Sequence, residues 1–141
     1  MYVQDFTLDK YGWYVKVYYT VSFYPMEDII NDLYSVGCDE HTVRSTVEEL
    51  EKFNLNDGFI HSNVFAHRSL IIIGPTSSAE EFLDTWDHEK GHLATHICIA
   101  EDIDPLGEEY QYLAGEIGKQ MFKVARLFLC DECRKNLYNK E

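Results

Sequence analysis

The chain has 141 residues, with 12 basic against 25 acidic, a net charge of −13, and 45% hydrophobic residues that include ten Tyr and eight Phe. That apolar content excludes a disordered chain and suits one domain, residues 1–141, around a single modest core. The acidic balance argues against nucleic acid and anionic membrane surfaces as partners, since both would repel it.

No apolar run approaches the roughly 18 residues of a membrane span. Met1 to Lys10 is polar and carries no signal-peptide pattern. A cytoplasmic, reducing location is therefore expected, and Cys38, Cys98, Cys130 and Cys133 read as thiols.

Residues Trp13 to Tyr24 (WYVKVYYTVSFY) are rich in Val, Tyr and Thr and predict a strand that Pro25 ends. Ile29, Ile30, Leu33 and Tyr34 recur at helical spacing in Met26–Val36, and Gly37 suits the left-handed residue past the helix end. Asp39 caps a second helix, Glu40 to Phe53, whose stripe is Val43, Val47 and Leu50. The cluster from Asn54 to Gly58 predicts a turn. A short strand begins at Phe59 and could run past His61-Ser62-Asn63 into Val64-Phe65. Arg68 to Ile73 (RSLIII) is a strand whose apolar end predicts a central place, covered on both faces. The two pair as a hairpin.

Gly74-Pro75 stops that strand, and Thr76, Ser77 or Ser78 caps a helix running from about Ser78 to Glu101. After the break at Asp102 to Gly107 a second long helix runs from about Glu108 to Leu129. Leu113, Ile117, Met121, Val124 and Phe128 form its apolar face. The tail from Cys130 is polar. The expected class is α+β, a small antiparallel or mixed sheet packed on helices.

The first long helix carries His88-Glu89-Lys90-Gly91-His92, read H-E-x-x-H. Two histidines four residues apart lie about 40° apart around a helix and can grip one metal ion. Zinc takes neutral imidazole nitrogen and, in catalytic sites, keeps a position open for water. Glu89 is placed to accept a proton from that water. With His88 at 0°, Phe82, Trp86, Leu93 and Ile97 fall between about 120° and 180°, apart from the histidine pair. The bland alternative is two exposed helix histidines beside a solvated glutamate.

Catalytic zinc usually takes a third protein ligand. His96 stands ~12 Å up the axis from His88 and converges poorly with the pair on one ion, so it is a weaker alternative as third ligand. It reads as a neighbour of the site, a substrate contact, or simply a polar helix residue. Glu108, Glu109 and Glu116 on the following helix are candidates, and a helical wheel leaves the choice open. An acidic first turn that favours the helix dipole explains Glu108 and Glu109 equally well, and a solvated face explains Glu116. Cys130 and Cys133 form a lone C-x-x-C without the second pair a structural zinc site requires. They read as helix-end thiols, Cys130 packed and Cys133 exposed.

H-E-x-x-H followed by a helix that supplies Glu resembles the gluzincin branch of the zincin metallopeptidases. The opening Glu108-Glu109-Tyr110-Gln111-Tyr112-Leu113-Ala114-Gly115 resembles an E-x-x-A-Y-L-x-G pattern of small H-E-x-x-H proteins of gut bacteria and their phages. It is also similar to the E-x-x-A-N pattern of ImmA/IrrE-type metallopeptidases. Gln111 stands where those patterns have Ala. The resemblance covers about Phe59 to Phe122. It implies a minimal zincin-like domain, with zinc held by His88, His92 and Glu108 and with Glu89 as general base in peptide-bond hydrolysis. It also implies a peptide or protein substrate, held along a strand edge of the hairpin Phe59–Ile73, and an oxyanion donor from among His96, His67, Arg68 and Tyr112. The other reading is a non-catalytic interaction domain that keeps the scaffold.

Overall fold

The computed structural model describes residues 2–20 and 23–140. Among these, β1 (Tyr2–Leu8), β2 (Trp13–Tyr19), β3 (Gly58–Asn63) and β4 (Arg68–Ile73) form one mixed sheet in the order β1-β2-β4-β3. β1 and β3 pair antiparallel with their inner neighbours, while β2 and β4 run parallel. The chain crosses over between β2 and β3 through two helices, α1 (Met26–Ser35) and α2 (Glu40–Glu51). It continues after β4 into α3 (Ala79–Glu101), α4 (Glu108–Ala125) and α5 (Asp131–Lys140).

Strand residues alternate between two cores, as the pleat requires. Trp13, Val15, Val17 and Tyr19 of β2, with Ile71 and Ile73 of β4, face α3, α4 and α5. Tyr18, Leu70 and Ile72 face α1 and α2. The apolar run of β4 is thus covered on both faces, as expected of its sequence. α3 is fixed to the first core by Phe82, Trp86, Leu93 and Ile97, all buried. Each such side chain contributes roughly 1.5–3 kcal/mol when fully buried.

The local signals for helix ends operate. Asp39 accepts a hydrogen bond from the Thr42 N–H at 2.7 Å, and Gly37 has φ +86°. Of the three capping candidates for α3 it is Ser78 whose hydroxyl accepts from the Glu81 N–H.

Several boundaries differ from expectation. β2 ends at Tyr19; Val21 and Ser22, within the expected strand, lie outside the described residues. β3 ends at Asn63, because the Asn63 side-chain oxygen accepts from the Phe65 and Ala66 N–H groups and closes the turn. α4 stops at Ala125, and the segment to Leu129 continues in tighter i→i+3 hydrogen bonds. Two elements have no counterpart in the expectation. The polar N-terminus forms β1, an edge strand with largely exposed or half-buried residues. The polar tail forms α5, which Tyr138 ties back: its hydroxyl donates to the Thr76 carbonyl and accepts from the Thr76 N–H. Among the described residues no helix is long and apolar enough to cross a membrane.

Candidate active site

α3 packs against β3, with Glu89 and Thr85 beside Gly58 and His96 beside Ser62. His88 and His92 are exposed, and their Nε2 atoms stand 3.1 Å apart. Two imidazoles each 2.0–2.1 Å from a tetrahedral zinc would have their nitrogens about 3.3 Å apart. The spacing therefore suits two ligands of one ion. Without a cation the same spacing permits one shared N–H···N hydrogen bond.

Glu89 is turned inward and is only 4% exposed. Its Oε2 has no hydrogen-bond partner among the described residues. An unpaired buried carboxylate oxygen is costly, and in native sites such atoms mark strain, catalysis or an absent partner. Burial raises the Glu89 carboxyl above its ordinary range, with His88 and His92 opposing. Such a group is a stronger base than an ordinary carboxylate.

Glu89 fits there because position 58 is glycine. A Cβ on Gly58 would approach Glu89 Oε1 to 2.8 Å and Thr85 Cγ2 to 3.0 Å. Beside this contact a cleft of about 260 Å³ is lined by Asn56, Asp57, Gly58, Asp84, Thr85, His88 and Glu89. The Thr85 hydroxyl donates to the Asn56 carbonyl at 3.1 Å and joins the turn before β3 to α3.

Among the described residues no strand pairs with the outer side of β3, which offers the cleft a free edge. In β4, the carbonyls of His67 and Ile73 at its two ends accept from Tyr14 and Thr20 on the β2 side, so odd-numbered residues point to β2. Even-numbered residues then pair with β3, through Phe59↔Ile72 and His61↔Leu70. The N–H and C=O groups of Gly58, Ile60 and Ser62 consequently face outward, away from the sheet.

The helix expected to supply the third ligand packs elsewhere. A Cβ on Gly118 of α4 would meet Lys90 Nζ at 3.8 Å, which sets the level of the two antiparallel helices. Glu108, ten residues earlier, then lies about 15 Å further along the axis, level with the end of α3. α4 also occupies the flank of α3 near Lys90, Ala94 and Cys98, roughly 140° around the axis from the histidine pair. Among the described residues no third His, Cys, Asp or Glu joins His88 and His92 in a group able to hold a metal. The donor set fits half of a zinc site, with the remaining positions left to water or to a group from another molecule.

The other candidates are separately engaged. Glu109 accepts from the Tyr11 hydroxyl at 2.9 Å and pairs with Lys10, which together hold its carboxyl below the ordinary range. Glu116 accepts from the Gln120 amide and lines a different cleft with Leu8 and Tyr11. His96 is half-buried and bonded to Ser62. Cys130 and Cys133 are both exposed free thiols, so the expected packing of Cys130 is not found; it precedes α5, where the chain turns at the surface.

Sequence reasoning missed Gly58 and Ser62 as parts of the site. The signal was present only as alternation, since residues 58, 60 and 62 share one face of a strand opposite the H-E-x-x-H helix. No family model matches the chain, and no curated protein or solved structure matches it, so what the cleft can do is carried by its own residues.

Proposed function

We infer that this protein is a zinc-dependent peptidase that hydrolyses an extended segment of a peptide or protein laid along β3. The observation that carries the reading is the buried, unpartnered Oε2 of Glu89 beside two imidazole nitrogens 3.1 Å apart. Neither feature serves the core, and together they supply a base and half of a metal site.

His88 and His92 would hold the ion through Nε2. Zinc, when bound, supplies a Lewis acid and lowers the pKa of water at its open position. Glu89 accepts the proton of a water in the cleft through its carboxylate and returns it to the leaving amine. The outward N–H and C=O groups of Gly58, Ile60 and Ser62 pair with the substrate backbone as an added strand would. Register along that edge brings successive peptide bonds past Glu89.

A second reading has its own support. α4 carries Glu108 away from the histidine pair, which favours a non-catalytic interaction domain whose exposed β3 edge binds a partner strand. The two part company at Glu89. Wild type and Glu89→Gln, each supplied with zinc, are incubated with a mixed peptide library and the products read by mass spectrometry. Zinc-dependent cleavage by wild type alone is expected. Equal cleavage by both, or none by either, would sink the peptidase reading.

A further inference from the structure

A chain of hydrogen bonds crosses the sheet and ends on α3. The Trp13 indole N–H donates to Ser69 Oγ at 2.9 Å. Ser69 Oγ and Ser62 Oγ are 2.6 Å apart, and Ser62 Oγ lies 2.7 Å from His96 Nδ1. Trp13 and Ser69 are fully buried.

The direction of this chain follows from its buried end. An indole N–H can only donate, so Ser69 Oγ accepts there. The Ser69 proton then needs an acceptor in a place without water, and Ser62 Oγ is the one within reach among the described residues. Ser62 is left with its own proton to give, and His96 Nδ1 takes it. The reverse order would strand the Ser69 hydroxyl proton at the full desolvation cost of a buried polar group. With Nδ1 accepting, the neutral His96 ring carries its proton on Nε2. That nitrogen has no protein partner among the described residues and is not a buried atom. Burial, with His92 and then His61 adding to it, depresses the basicity of the ring.

We propose that His96 is a hydrogen-bond donor beside the cleft, its Nε2–H fixed by the Trp13–Ser69–Ser62 relay and given to a carbonyl oxygen of an extended peptide on the free edge of β3. This deepens the peptidase reading and rests on its substrate class. His96 lies one turn beyond His92, with ring centroids 6.2 Å apart. The protonated Nε2 has no lone pair for a metal, so His96 complements the histidine pair and does not extend it. Ser62 joins the two functions, since its backbone faces the peptide while its hydroxyl sets the tautomer. Ser62 and Ser69 are thus positioning residues.

The other donors considered for this role point elsewhere. His67 bonds the Tyr11 carbonyl through Nδ1 at 3.0 Å and pairs with Glu101 through Nε2 at 3.2 Å. Arg68 stacks on Tyr14, and Tyr112 lies on α4 beside Lys10 and Tyr11.

The test is imidazole ¹⁵N NMR on the full chain at neutral pH. His96 is expected to show the Nε2–H tautomer, with both Ser69→Ala and Ser62→Ala moving it toward a mixture. Adding a capped hexapeptide is expected to shift the His96 Nε2–H resonance in wild type. An Nδ1–H tautomer, a tautomer indifferent to both serine variants, or no shift up to the solubility limit of the peptide would overturn the proposal. In any zinc-dependent cleavage, His96→Ala should raise KM by about tenfold, the worth of one hydrogen bond to the peptide backbone, with zinc content unchanged. Cleavage unaffected by His96→Ala would overturn the proposal and leave the peptidase reading intact. A peptide-induced shift without cleavage would do the reverse.

Discussion

Gly58 and Glu89 are in contact across the β3–α3 junction, so closely that a methyl group on Gly58 would stand 2.8 Å from one carboxylate oxygen and 2.9 Å from Cγ. The glycine is what lets a charged side chain lie under an edge strand. Gly58→Ala is therefore an overpacking substitution. It should destabilise the fold by about 1–3 kcal/mol in urea unfolding and reduce any cleavage more than it reduces zinc binding. An alanine variant with unchanged stability and activity would mean that Glu89 is free to move aside.

Glu89 also makes stability depend on pH in a definite sense. Its folded-state pKa is raised, by burial first, with His88 and His92 opposing. A raised acid favours the protonated form in the folded state, so its contribution is complete below the unfolded value of about 4.3. That contribution is lost as pH rises through the folded value. In metal-free protein, the stability of wild type relative to Glu89→Gln should accordingly fall as pH climbs from about 4 toward neutrality. Denaturant titrations of both proteins across that interval read the difference directly, and a flat or rising difference would contradict the burial.

The free edge of β3 can be tested apart from its ladder. Ile60 turns its N–H outward, and proline is tolerated on an edge strand where the N–H faces solvent. Ile60→Pro should keep the β4 pairing yet raise the KM for a peptide substrate. Ile60→Ala controls for the side chain lost from the core. Equal KM values for the two variants would place the substrate elsewhere.

What could be read in the residues themselves was local. RSLIII identified a covered strand, and Phe82, Trp86, Leu93 and Ile97 identified the buried stripe of α3, because each pattern lies within one element. His88 and His92 share a face for the same reason. β1 was illegible because an edge strand shows little apolar alternation, and α5 because Tyr138 anchors it to Thr76, far off in sequence. The burial of Glu89 depends on Gly58, which read only as part of a turn. A wheel for α4 gives the angle of Glu108 about its own axis, but not the flank of α3 on which that helix packs. Whether Glu108 reaches the histidine pair depends on that flank.

Equilibrium dialysis against zinc followed by metal analysis tests the central claim most directly, that His88 and His92 hold one ion at the α3–β3 cleft without help from α4. About one zinc per chain is expected for wild type and for Glu108→Ala, and none for His88→Ala or His92→Ala. No uptake by wild type, retention by both histidine variants, or loss with Glu108→Ala would contradict it.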